Sequence, residues 1–209
     1  MRWYEVTVTG QDTHTGTTPM HLRKNALLGA ARLIEAVDTI GCKHAPGVAT
    51  VGRIENRPNS PNVVPGEVFF TVDLRHPDGG ALDAMEAEFR AALPAICEPL
   101  GLGTAMQRIW DQPTLRFNAD CVAAVRRAAV LTGYSSRDIV SGAGHDAAYV
   151  LRVAPAAMIF IPCRGGISHN EAEFSSKEQC AKGAQVLLQA VLDYDRMLAE
   201  RGSAARGAR

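Results

Sequence analysis

Between Trp3 and Ile109 the chain alternates between two hydrophobic periods in an order that few folds accommodate. Residues Trp3 to Thr9 place Tyr4, Val6 and Val8 against Glu5, Thr7 and Thr9, the period of a half-buried strand. Residues Arg23 to Ile40 then carry Leu27, Ala30, Ile34 and Val37 at helical spacing, with Gly41 expected just beyond the helix end. Val48 to Ile54 reads as a second strand and Asn59-Ser60-Pro61-Asn62 as a turn. Glu67 to Arg75 reads as a third strand with Val68, Phe70, Val72 and Leu74 facing inward. Leu82, Met85, Phe89, Leu93 and Ile96 give a second amphipathic helix ending near Gly101, and Thr104 to Ile109 a fourth strand. Strand, helix, strand, strand, helix, strand is the split βαβ order, in which four antiparallel strands carry two helices on one face. A small α+β domain is therefore expected over residues 1–113, with Asp111-Gln112-Pro113 as its exit.

The texture changes after Asn118. A helix from Ala119 to Leu131, a strand at Asp138 to Val140, a glycine-rich turn, a helix from His145 and a buried parallel strand at Ala156 to Ile161 read as wound α/β structure over residues 114–201. Ser175 followed by Glu178 predicts a capping box for a last helix whose apolar stripe includes Ala184, Leu188, Val191 and Leu192. Residues 202–209 read as a disordered polar tail.

Charge narrows the function. Lys+Arg and Asp+Glu are equal at 22 each, so no basic field recruits nucleic acid or an anionic membrane, and function must come from a local site. The five cysteines are scattered without a C-x-x-C pair, which argues against a disulfide framework and, with no membrane-length apolar run, points to a cytoplasmic setting.

Four clusters could carry chemistry, and each has an ordinary alternative. His169 follows the strand at Ala156 to Ile161, with carboxylates at Glu171 and Glu173. The carboxyl rim of such a sheet is where ligands bind, yet a lone loop histidine is also a common surface residue. The turn Ser141-Gly142-Ala143-Gly144-His145-Asp146 offers bare amides to an anion, or is simply a tight turn. Arg75 shares the outward strand face with Phe69, Thr71 and Asp73 and is either an anchor or a solvated charge. Asn62 is a natural turn former, and His14 lies in a polar loop.

Taken in order, Gly10-x-x-x-His14-x-Gly16-Thr17-Thr18-Pro19-Met20, Pro61-Asn62 through Asp73-Leu74-Arg75, Ser141 through Ala147, and Gly166 through Glu173 resemble the hydantoinase/carbamoylase family of metal-dependent amidohydrolases over almost the whole chain. The resemblance implies a ferredoxin-like (split βαβ) lid and dimerisation domain, followed by the C-terminal part of a two-metal, aminopeptidase-like α/β catalytic domain. It implies hydrolysis of a C–N bond in an N-carbamoyl amino acid or ureido acid. His169 would be a metal ligand, and Asn62 and Arg75 would hold the substrate carboxylate. His14 would stabilise the oxyanion, and Gly142, Ala143, Gly144 and His145 would line the pocket. The metal would be zinc or manganese, with cobalt or nickel as alternatives, and the assembly a homodimer through the lid.

The same resemblance places the family's other metal ligands, its general-base glutamate and the first half of the catalytic sheet upstream of Trp3. The expectation is a C-terminal half that is silent by itself and works with an N-terminal catalytic half. The alternative is a non-catalytic remnant or dimerisation partner module. Thr13 and Thr15 flank His14 where relatives commonly carry small residues.

Overall fold

A computed structural model describes residues 1–207, with side chains to residue 203. The chain divides into two compact units, Met1–Thr114 and Leu115–Arg209.

The first unit contains β1 (Arg2–Thr9), β2 (Thr13–His14), α1 (Ala26–Lys43), β3 (Val48–Arg57), β4 (Val63–Val64), β5 (Glu67–Arg75), α2 (Gly79–Cys97) and β6 (Gly103–Asp111). Four of these strands form one sheet in the order β3-β5-β1-β6, antiparallel at every step. Period-2 alternation does what the sequence requires of it. Tyr4, Val6 and Val8 from β1 and Val68, Phe70, Val72 and Leu74 from β5 are buried against α1 and α2, while their neighbours point away. Each such side chain contributes about 1.5–3 kcal/mol by leaving water, so these two central strands form the floor of the core.

The helices differ in detail from the periodic reading. Asn25 starts α1 by accepting hydrogen bonds from the amides of Leu27 and Leu28 at 3.1 and 3.2 Å, so the helix begins at Ala26 rather than Arg23. Its buried stripe is Ala26, Ala30, Leu33, Val37 and Ile40, and Leu27 lies exposed. Gly41 does not end the helix. It lies inside α1 where a Cβ would come within 3.0 Å of the Ala49 amide nitrogen, so it permits close approach of helix to strand. Asp78 caps α2 through Ala81, and Leu82, Met85, Phe89, Leu93 and Cys97 fill the second half of the core.

Glu86 lies on the edge of the α2 stripe and is buried. It accepts from Arg2 at 2.8 Å and from Arg90 at 2.7 and 2.9 Å, with Arg108 at 3.5 Å, tying β1, α2 and β6 together. The Tyr4 hydroxyl is buried beside it without an aligned partner, and burial, then the Glu86 carboxylate, pushes its ionisation up.

The second unit contains α3 (Ala119–Leu131), α4 (Ala147–Val150) and α5 (Lys177–Gly207). Its small core is Ala128, Ala129, Val186 and Ala190, with Val125, Tyr134 and Ile159 against them. Four expectations are corrected here. The segments 138–140 and 156–161 form no strand among the described residues, because this unit supplies no neighbouring strand to complete a ladder. The helix expected from His145 is confined to one turn. The capping box is shifted by one residue: Ser176 and Gln179 exchange bonds of 2.8 and 3.2 Å, while Ser175 donates to the Pro162 carbonyl. The helix α5 continues through 202–207, and residues 208–209 lie outside the described residues. Among the described residues no helix is long and apolar enough to cross a membrane.

Candidate functional site

The candidate residues of the first unit fall at two ends of its sheet. After β1 the chain reverses, held by the Gly10 amide on the Gly66 carbonyl at 2.7 Å and the Gln11 amide on the Lys24 carbonyl at 2.9 Å. A side chain at Gly66 would place its Cβ 2.3 Å from Asp12 Oδ1, so the two passes of chain approach this closely only with glycine there. The short strands β2 and β4 then pair antiparallel, His14 opposite Val63, and the Thr15 amide donates to the Asn62 carbonyl at 3.0 Å. His14 and Asn62 are thus brought side by side on one arm.

Two further contacts shape that arm. The Gly16 amide donates to His14 Nδ1 at 2.9 Å, so a neutral His14 ring carries its proton on Nε2 and presents it as a donor. Ser60 Oγ donates to Asn62 Oδ1 at 2.8 Å, which leaves the amide NH2 to point elsewhere. Arg23 was not singled out by its sequence context. Its guanidinium donates to the carbonyls of Thr18 and Thr15, clamping the loop beyond His14, and such a clamp is legible only once the loop's path is known.

Arg75 closes the other end of β5. Its Nε donates to both Asp73 oxygens at 3.0 Å and its Nη2 to Oδ2 at 2.6 Å, a forked pair between residues two apart on one strand face. That hydrogen bonding raises the Arg75 pKa against the opposing effect of burial, and it fixes the plane of the guanidinium. Glu67 to Arg75 spans eight steps of about 3.3 Å, so β5 is about 26 Å long, with Arg75 at one end and the chain entering from the arm at the other. The family resemblance puts Asn62 and Arg75 on one carboxylate; in this chain Asn62 precedes the Glu67 end of β5 and Arg75 closes the opposite end.

In the second unit the turn at Ser141 wraps on its own side chain. Ser141 Oγ lies 2.8 Å from His145 Nε2 and accepts from the Ala143 amide at 3.2 Å, and the His145 ring meets the Phe160 ring edge-on at 5.5 Å between centroids. Gly142, Ala143 and Gly144 lie exposed along that turn. His169 lies on a separate exposed loop with φ of 55°, a left-handed conformation that costs energy for a side-chain-bearing residue. Its amide donates to Glu173 Oε2 at 3.0 Å. Glu173 therefore folds back on the His169 backbone. Among the described residues no three His, Cys, Asp or Glu side chains gather as a metal site requires. The donor set of the described residues does not fit a two-metal centre.

The pattern of Peptidase family M20/M25/M40 matches residues 16–193. This chain belongs to Peptidase family M20/M25/M40. Within that family it is 49% identical over 192 residues to an N-carbamoyl-L-amino-acid amidohydrolase of Rhizobium meliloti, a match covering 91% of this chain and 46% of that protein. It is 35% identical over 187 residues to an allantoate amidohydrolase of Escherichia coli (strain K12), covering 89% of this chain and 46% of the relative. A crystal structure of an amidase of the hydantoinase/carbamoylase family from Burkholderia vietnamiensis superposes with a TM-score of 0.88 at 53% identity, over 92% of this chain and 47% of the other. These M20/M25/M40 relatives are amidohydrolases, enzymes that cleave C–N bonds, and the resemblance carried by the four motifs holds. The chain spans less than half the length of the relatives it matches.

Proposed function

We propose that this chain is part of an amidohydrolase that cleaves a C–N bond in an N-carbamoyl amino acid or a ureido acid such as allantoate. The observation that carries the reading is the His14–Asn62 arm. An imidazole whose Nε2 proton is set by a backbone amide on Nδ1 is a ready donor to the oxyanion that forms when water adds to a carbamoyl carbon. The Asn62 amide beside it is a second polar group for the substrate, and Arg75, its plane held by Asp73, offers two parallel bonds to a carboxylate.

Because the arm lies before one end of β5 and Arg75 closes the other, about 26 Å along the strand, this reading has two copies of the chain supply these groups to one substrate. A homodimer through the first unit, acting as lid and dimerisation domain, is the arrangement this reading requires. No step is assigned through a metal here, since His169 is the one residue of this chain that the family resemblance makes a ligand. The Gly142–His145 turn is proposed as pocket lining. A second reading, a non-catalytic dimerisation module, is favoured by the lack of a converging ligand set among the described residues.

The test compares this chain alone with the chain co-expressed with the unmatched part of the Rhizobium meliloti relative. Both are assayed for amino-acid release from N-carbamoyl-L-amino acids and for allantoate hydrolysis. The reading expects turnover in the assembled enzyme, lost in His14→Ala. Silence of the assembled enzyme on every acidic substrate, with assembly verified, favours the module.

A further inference from the structure

The sheet of the first unit turns one face away from α1 and α2, and two tryptophans meet on it. Along β1, Tyr4, Val6 and Val8 face the helices, so Trp3, Glu5 and Thr7 face the other way. Asp73 of β5 stands opposite Trp3 on one side, and Trp110 of β6 stands opposite it on the other. Trp110 reaches that position through a bulge. Tyr4 pairs with Arg108, so regular pairing would set Ile109 against Trp3 and turn Trp110 toward the helices. The register shifts there instead, with Ile109 as the extra residue, and Trp110 is re-aimed onto the outer face. The two indoles lie 5.9 Å apart between centroids, tilted by 35°, and are 38% and 40% exposed. On the same face Glu5, Thr7 and Thr71 are polar, and the Arg53 guanidinium lies over the ring of Phe69.

Asp73 is also the residue that holds the Arg75 guanidinium. One row across the sheet therefore runs from the Arg75–Asp73 fork to Trp3 and on to Trp110, at strand spacings of about 4.8 Å. Aromatic rings pack at centroid separations of about 4.5–7 Å, so a ring carried one or two bonds from a carboxylate on Arg75 is within the reach of this row. A small-molecule site has this composition: a few placed polar groups fix orientation and apolar walls take the rest. We propose that Trp3 and Trp110 form a side-chain subsite beside Arg75, which selects N-carbamoyl amino acids with an aromatic or large apolar side chain over N-carbamoylglycine and allantoate. Glycine has nothing to lay on the indoles, and the second ureido group of allantoate is polar and loses hydration there. The proposal rests on the reading of Arg75 as carboxylate anchor, and it makes the two tryptophans specificity-determining rather than catalytic. Cross-strand packing alone would stabilise the sheet without discriminating between substrates.

The experiment measures kcat/KM of the assembled enzyme on N-carbamoyl-L-phenylalanine, N-carbamoylglycine and allantoate. The expected result is a preference for the phenylalanine derivative over the glycine derivative of roughly tenfold or more, reduced to about threefold or less by Trp3→Thr or Trp110→Thr and largely kept by Trp110→Phe. The ratio is taken within one variant, so a smaller folded fraction cancels, and urea unfolding reports any loss of sheet stability separately. Equal rates on the two N-carbamoyl substrates, a higher rate on allantoate, or a ratio that both threonine variants leave unchanged overturns the proposal. If the assembled enzyme turns over none of the three, the activity reading fails and binding decides. Trp3 and Trp110 are the two tryptophans of the chain, so its tryptophan emission reports on this place alone. A saturable change with 3-phenylpropionate, roughly tenfold weaker with propionate and lost in Arg75→Ala, supports the subsite. Emission indifferent to 3-phenylpropionate, or a response that Arg75→Ala leaves unaltered, overturns it.

Discussion

The separation of the His14 arm from Arg75 makes a numerical prediction for mixed dimers. Two variants of this chain, His14→Ala and Arg75→Ala, are each assembled with the complementing half, and each is expected to be inactive because every site lacks one group. In a two-fold dimer whose sites take Arg75 from one chain and the arm from the other, a hybrid has one site with both groups intact and one with neither. Equal mixing with free exchange makes about half of the dimers hybrids, and each hybrid has one working site of two, so the mixture should recover about one quarter of wild-type activity. The alternative, in which one chain delivers both groups to one substrate despite the roughly 26 Å length of β5, recovers none. Activity is followed by amino-acid release from an N-carbamoyl substrate, and exchange by native mass measurement on a pair of differently tagged chains. Recovery near zero with exchange confirmed would refute the two-chain site and the geometry from which it is drawn.

In the assembled enzyme Arg75→Lys is expected to raise KM for acidic substrates by an amount equivalent to about 1.5–3 kcal/mol while leaving the unfolding midpoint in place, since a point charge does not reproduce the forked grip; steady-state kinetics alongside urea unfolding separates the two effects. Glu86→Ala should cost the first unit about 1–3 kcal/mol, because Arg2 and Arg90 lose a shared acceptor while Asp83 and Asp111 still face Arg2, and this is read from denaturant midpoints. Burial works to raise the Glu86 pKa, but the nearby Tyr4 hydroxyl, the bonds from Arg90 and the charges of Arg90 and Arg2 outweigh it and hold the folded value below the ordinary glutamate range. Its contribution is therefore fully present above that range and lost as pH falls through the lowered value, so Glu86→Ala should flatten the acid limb of the stability profile. The chain alone, dialysed and measured for metal content, should retain no stoichiometric pair of ions, since among the described residues no ligand set converges on His169. Two tightly held ions per chain would show that the site lies elsewhere.

What could be read in advance follows from what each pattern encodes. Strands β1 and β5 were legible because each has one buried face made of large residues, so Tyr4, Val6, Val8, Phe70 and Leu74 announce it. The phase of α1 was set less well, because its buried stripe includes Ala26 and Ala30, which are small, while Leu27 and Ile34 on the flanks are more conspicuous. The two-residue strands that join His14 to Val63 have no period at all, so the arm was visible only as motif residues. The Arg75–Asp73 fork was implicit in their shared strand face, but nothing in the sequence measures the distance to Asn62.

The second unit presents the reverse case. Ala184, Leu188, Val191 and Leu192 form the stripe that α5 displays most strongly in sequence, and they are the residues the structure leaves open, while the stripe it buries, Val186 and Ala190, is slight. The run Ala156 to Ile161 likewise reads as a buried strand and is unpaired. Periodicity records the surroundings for which a segment is composed, and large apolar side chains are kept on a helix face when something covers it. In the second unit the disagreement between pattern and burial falls on one stripe of α5 and on the segments 138–140 and 156–161, so these stretches are composed for surroundings that the described residues of the unit do not supply.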